Sequence, residues 1–259
     1  MPSFRLSRNL TLLGSPGSGK GYYGRPLAEA WRCRRWEAST LLRANPQTQN
    51  LLDSGRLVDC QIVSQTLLDS LQKEQRHQDE VDGYDDDSNN NNSSYFIMDG
   101  FPRTRKQIDL MEAEWPTHLH VTHAVLLDVP QGVCVAKIKG RRYCPQCHTH
   151  YNTMGYYEGG FDLPPVLPAG NVISRRNEDH ADEKITCADC NPREVWQVRA
   201  DDVQTDIVQR RLAEHAAHEQ PIIDYYEQRG RLLRYTPYRG ALDLDDMRQT
   251  MEAWINSQS

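Results

Sequence analysis

The stretch "NLTLLGSPGSGKG", residues 9–21, constrains the fold of this chain more than any other. "LTLL" reads as a short buried strand, and the glycine-rich loop from Gly14 to Lys20 carries it into a helical pattern. A G-x-x-x-x-G-K loop between a strand and a helix turns backbone N–H groups inward around an anion, and the helix N-terminus and the lysine add positive charge. The competing reading is a glycine-rich turn with an incidental lysine. Where a small hydroxyl residue commonly follows such a lysine, this chain has Gly21, Tyr22 and Tyr23, and Gly24 and Pro26 weaken the first helical turns.

The pattern beyond the loop fits the same architecture. "YFIM" (95–98), "HAVLLDV" (123–129) and "RLLRYT" (231–236) read as strands, while 58–72, 204–229 and 243–256 read as helices. Strands alternating with helices predict an α/β fold with a central parallel sheet. Two segments interrupt it. "HQDEVDGYDDDSNNNNSS" (77–94) is too polar to offset its ordering entropy and is expected to be disordered. Residues 140–198, with Gly- and Pro-rich stretches and four cysteines, read as an inserted small lobe. At 259 residues the chain has room for one sizeable core with such insertions. Its formal charge of −6, and the lack of any apolar run near the ~18–20 residues of a membrane span, argue against nucleic acid and membrane as partners. The nine residues before the first strand are too few for a standard signal or transit peptide; a cytoplasmic location is expected, with mitochondrion or plastid as alternatives.

Two further motifs carry chemistry. "DGFPRT" (99–104) follows a strand, so Asp99 lies in the crevice where α/β proteins bind ligands, placed to hold the water shell of Mg2+, and Arg103 is placed to fork onto a phosphate. By itself this hexapeptide is equally a strand end with a turn. Of seven cysteines, four form the pairs "CPQC" (144–147) and "CADC" (187–190); two such knuckles make a tetrahedral thiolate site for a structural zinc from Cys144, Cys147, Cys187 and Cys190. The intervening 39 residues (148–186) exceed the ~15–20 of a compact zinc ribbon. Cys33, Cys60 and Cys134 read as ordinary buried or half-buried thiols.

Together these motifs resemble the adenylate kinase family of nucleoside monophosphate kinases, in order along nearly the whole chain. The matching residues are "GSPGSGKG", "STLLR" (39–43) with "SGRLVD" (54–59), "DGFPRT" with Gln107, "LLDVP" (126–130), "GRR" (140–142), "RADD" (199–202) and "PIIDYY" (221–226). The resemblance implies a P-loop NTPase core (1–37, 73–139 and 199–259), an inserted helical monophosphate-binding lobe (38–72) and an inserted zinc-ribbon-like lid (140–198). It also implies a monomer that converts MgATP and AMP into two ADP. In that reading Gly14, Gly17, Gly19, Lys20, Gly21 and Tyr22 hold the donor phosphates, and Arg43 and Arg103 grip the acceptor phosphate. Ser39, Leu57, Val58, Gly100 and Gln107 contact the acceptor. Arg141, Arg199 and an arginine at 210 or 211, with Arg211 preferred, close over the transferring group, and Asp201 and Asp202 are lid carboxylates. Ala38 and Lys137 stand where relatives often touch the acceptor adenine and stack on the donor base. The rival readings are a UMP/CMP kinase, a GTP:AMP phosphotransferase, a nucleotide binder without turnover, and a zinc-ribbon nucleic-acid binder, which the negative charge disfavours.

Overall fold

The computed structural model describes residues 4, 6–82, 95–146, 150–167 and 197–258. Five short strands form its centre: β1 Leu10–Leu13, β2 Arg34–Glu37, β3 Phe96–Asp99, β4 His123–Leu127 and β7 Leu232–Tyr235. All pair in parallel, in the order β2-β3-β1-β4-β7. Successive side chains on a strand face opposite ways, and the apolar runs exploit both directions. Leu10, Leu12, Ile97, Val125 and Leu127 pack with Leu27 and Trp31 from α1 (Lys20–Ala30) and its end, and with Met247, Met251 and Ile255 from α9 (Leu244–Ser257). Leu13, Phe96, Met98, Ala124 and Leu126 join the opposite layer, with Leu67 and Leu71 of α4 (Cys60–Asp82), Ile108 and Met111 of α5 (Arg105–Glu114), and Ile222 and Tyr226 of α8 (Thr205–Glu227). Each such leucine or isoleucine contributes ~1.5–3 kcal/mol by leaving water. Among the described residues no helix is long and apolar enough to cross a membrane.

The chain leaves β1 for the edge strand β2, then returns to place β3 between them, and only later adds β4 on the other side. The order therefore reverses between β1 and β3, and the crevice at their carboxyl ends receives both the glycine loop and "DGFPRT". At the opposite end Asn9 ties the sheet together. Its Nδ2 donates to the carbonyls of His118 (2.8 Å) and His120 (3.1 Å), and its Oδ1 accepts from Phe96 N at 3.2 Å.

One sequence expectation is corrected here, that for 77–94, and two elements, β2 and the turn before the expected helix at 204–229, were not anticipated. β2, "RRWE", was not legible as a strand, because an edge strand pairs on one side only and tolerates charge. The segment 77–94 does not begin as a disordered loop: α4 continues through Asp82, since Gln, Lys, Glu and Arg propagate a helix cheaply once its first half is packed. Residues 83–94 lie outside the described set. The helix expected at 204–229 is preceded by a separate turn, α7 (Ala200–Val203), with the break at Gln204.

Gly24 and Pro26 do not break α1, which runs through both and is anchored by Tyr23, Leu27 and Ala28. Gly24 has a packing reason: a β-carbon there would lie 2.9 Å from Leu12 Cδ1 and 3.3 Å from Arg35 Cδ. Propensity alone expects Gly24→Ala to stabilise the helix by ~1 kcal/mol. The crowding reverses the sign, and the expected result is a loss of ~1–2 kcal/mol in urea unfolding.

Two insertions rise from the sheet's carboxyl edge. The first holds α2 (Ala38–Arg43) and α3 (Pro46–Asp53), the latter capped by Asn45, whose Oδ1 accepts from Gln47 N at 3.0 Å, with Pro46 in the first turn. The second follows α6 (Gln131–Gly140): β5 (Arg141–Tyr143) pairs antiparallel with β6 (His150–Asn152), and single bridges join Tyr143 to Gln197, Asn152 to Val166 and Tyr156 to Leu163. Its 156–163 turn docks on the core, where Asp162 N donates to Tyr238 O at 2.7 Å and the Phe161 and Tyr238 rings lie 4.9 Å apart.

Candidate active site

The glycine loop closes on itself around Lys20. Its Nζ donates to the carbonyls of Gly14 (2.5 Å) and Ser15 (3.0 Å), and Lys20 opens α1 behind Gly19, which caps the helix in the left-handed region. Gly17, also left-handed at φ 92°, must be glycine, because a β-carbon would sit 2.4 Å from Cys134 O on α6. Within the loop, Ser18 Oγ is buried with no hydrogen-bond partner among the described residues.

Burial pulls the Lys20 ammonium down to about 8; Asp99 opposes this and Arg103 reinforces it. Between about 8 and the ordinary lysine value of 10.5 the native state binds fewer protons than the unfolded chain. Stability therefore rises with pH across that window while the cationic form is lost. The expected result is that kcat/KM for the phosphate donor falls roughly tenfold per pH unit above about pH 8, a limb that Lys20→Met removes.

At the end of β3, burial raises the Asp99 carboxyl against the opposing charges of Lys20 and Arg35. Arg103 Nε donates to Gly100 O at 3.0 Å, and Arg103 N donates to Gln107 Oε1 at 2.7 Å. Gln107 also closes the cap of α5, its N–H reaching Thr104 Oγ1 at 3.2 Å.

Facing this edge is a network of guanidiniums on two carboxylates. Asp202, whose side chain is 0% exposed, takes a two-pronged contact from Arg141 (Nε at 2.7 Å, Nη2 at 2.8 Å) and a third bond from Arg211 Nη1 at 2.6 Å. Asp201 accepts from Arg199 Nε at 3.2 Å and lies 3.1 Å from Arg211 Nη1 and 3.4 Å from Arg43 Nη2. Burial pushes its carboxyl up, and Arg199, Arg211 and Arg43 together bring it below the ordinary range. Arg43 is also paired with Asp53.

One cavity of about 730 Å3 joins these parts. It is lined by Gly14, Gly17, Gly19, Lys20, Gly21 and Tyr22 at the loop, by Asp99, Gly100 and Arg103 in the middle, by Ser39, Arg43 and Leu57 at the far end, and by Arg141, Arg199 and Arg211 opposite. Val58 and Gln107 do not reach it; with Ala38 they border an adjoining hollow of about 20 Å3 that shares Ser39, Leu57, Gly100 and Arg103 with the main cavity. Arg210 donates instead to Ser54 O at 2.6 Å. Of the four cysteines expected to hold zinc, Cys144 is a buried free thiol, while Cys147, Cys187 and Cys190 lie outside the described residues. Among the described residues no cluster of three or more metal-ligating side chains occurs.

Sequence reasoning missed several lining residues. Arg35 and Glu37 belong to the charged edge strand, and only the register that sets Glu37 opposite Asp99 brings them to the site. His215, whose Nδ1 lies 3.4 Å from Ser15 Oγ, carries no local motif. Lys137 Nζ, at the cavity wall, donates to three carbonyls, Met154 (3.0 Å), Leu163 (3.2 Å) and Pro164 (3.4 Å).

A glycine-loop lysine at one end of a cavity, and arginines converging on it from separate parts of the chain, are the equipment of a P-loop phosphotransferase, which needs positioning and positive charge more than acid–base groups. Residues 12–231 match the adenylate kinase family model. An adenylate kinase of Treponema pallidum is 31% identical over 231 residues, covering 85% of this chain and 87% of its own length. One of Thermotoga neapolitana is 27% identical over 248 residues, covering 92% of each, and a GTP:AMP phosphotransferase of Plasmodium falciparum is 25% identical over 246 residues, covering 92% and 93%. The chain belongs to the adenylate kinase family and is a nucleoside monophosphate kinase.

Proposed function

We propose that the chain catalyses reversible transfer of the terminal phosphoryl group of MgATP to AMP, giving two ADP. The observation that carries this is the single cavity running from Lys20 to Arg43, with Arg103, Arg141, Arg199 and Arg211 between its ends. Lys20 and the loop N–H groups hold the donor phosphates, and Arg43 and Arg103 hold the acceptor phosphate, so that attack is in line. Arg141, Arg199 and Arg211 meet the charge on the equatorial oxygens, already aimed by Asp201 and Asp202. Asp99 is the carboxylate that would hold the water shell of a magnesium ion bound with the triphosphate, and such an ion would supply charge neutralisation at the phosphate oxygens. The test is coupled ADP detection with ATP or GTP against AMP, UMP and CMP. ATP with AMP should be the best pair, and no turnover with any pair, despite tight binding of a two-headed adenosine inhibitor, would leave a silent binder.

GTP as donor is the second reading. The observation in its favour is the similarity, over 92% of this chain, to the GTP:AMP phosphotransferase of Plasmodium falciparum.

A structural zinc held by Cys144, Cys147, Cys187 and Cys190 is part of the proposal. It is supported by the two Cys-x-x-Cys spacings and by the burial of Cys144. Four thiolates leave no open position, so the metal would staple the lobe and take no part in transfer. Metal analysis should find about one zinc per chain, lost in Cys144→Ser. Purified wild-type protein without zinc refutes this part.

A further inference from the structure

Arg35 reaches the site by a route that the oddities of the first helix create. Its side chain, 14% exposed, runs from β2 beneath α1 along the face left bare by Gly21 and Gly24, one turn apart. A β-carbon on Gly21 would meet Arg35 Nη2 at 3.3 Å, and one on Gly24 would meet Arg35 Cδ at 3.3 Å and Nε at 3.4 Å. The guanidinium ends between two carboxylates on adjacent strand ends. Nη2 lies 3.0 Å from Glu37 Oε2 and 3.5 Å from Asp99 Oδ2, and Nη1 donates to Glu37 Oε2 at 3.2 Å. The other cations around Asp99 are turned elsewhere, Lys20 to the loop carbonyls and Arg103 to Gly100 O. Among the described residues Arg35 makes the one ion pair to Asp99.

Two carboxylates side by side at strand ends, next to a phosphate cradle, are a hard-oxygen donor set that attracts a divalent cation. A fixed guanidinium between them satisfies the same charge with directional bonds and fills the same space. We propose that Arg35 is a positioning residue and resident cation: it aims the Asp99 carboxylate into the cavity and, shared with Glu37, keeps free divalent ions out, so that metal enters only with the nucleotide. Gly21 and Gly24 are then the passage for this side chain, and "RCRRWE" and "GYYG" form one device. The inference rests on the phosphoryl-transfer reading of the site.

The test is Mn2+ binding to the full chain without nucleotide, followed by the electron paramagnetic resonance signal of the free ion. Arg35→Met should bind Mn2+ at least about tenfold tighter than wild type, ~1.4 kcal/mol. Arg35→Lys should stay near wild type, and adding Glu37→Gln to Arg35→Met should return the affinity to the wild-type level. A folded Arg35→Met that binds Mn2+ no better than wild type overturns the proposal, as does tight binding that survives Glu37→Gln. If Arg35→Met does not fold, Arg35→Gln, which keeps a donor for Glu37, carries the same expectation. ADP formation by the wild-type preparation is measured alongside. Its absence would count against the kinase reading, while the Mn2+ comparison would still decide the role of Arg35.

Discussion

Lys20→Ala is expected to lower the rate of ADP formation about a thousandfold, the upper end of what losing one well-placed donor to a developing charge costs. The structure gives two reasons for that end of the range. Lys20 sits at the helix start with its ammonium inside the ring of loop carbonyls, so its charge is held where the donor phosphates lie rather than sampling solvent. The same bonds shape the loop, and alanine would remove the lysine donor from the Gly14 and Ser15 carbonyls, of which Ser15 keeps its bond from Ser18 N. Stopped-flow or coupled assays at saturating nucleotide measure the loss. A variant within about tenfold of wild type would remove the loop from the mechanism.

The second large effect separates neighbouring arginines. Arg211→Ala should cost about a hundredfold or more in kcat, whereas Arg210→Ala should stay within about threefold. Arg211 is inside the network, bonded to Asp202 and to the Asp201 carbonyl, and lines the cavity. Arg210 is 40% exposed, with a single bond to Ser54 O and a long contact to Asp206. The fold should survive the first change, because Asp202 keeps both contacts from Arg141. Circular dichroism and the thermal midpoint should therefore match wild type while the rate falls. Equal losses in the two variants would contradict the placement.

What could be read in advance follows from how local each constraint is. The glycine loop and "DGFPRT" were legible because a turn around an anion and a strand end each impose residue types within a few positions. The central strands were legible because burial on both faces leaves only apolar residues, as in "LTLL" and "FIM". β2 was hidden because its outer edge and its ends face water and ligand, so Arg34, Arg35 and Glu37 mask a strand that tertiary pairing decides. The site residues Arg35, Glu37 and His215 depend on strand register and helix packing across distances no spacing rule covers. Gly24 shows the reverse problem. Propensity marks it as a defect, yet the atoms of Leu12 and Arg35 occupy the space its side chain would need.

Asp202 binds the history of three positions together. With its side chain fully buried and with guanidiniums from Arg141 and Arg211 both resting on it, it cannot be neutralised without leaving Arg141 unpaired and Arg211 with Asp201 alone, and neither cation can be inverted without burying a repulsion. Their effects must be strongly non-additive. Positions 141, 202 and 211 should therefore drift as one unit among descendants of this chain: any lineage that abandons one has to reach a compensated triple through intermediates that are less fit.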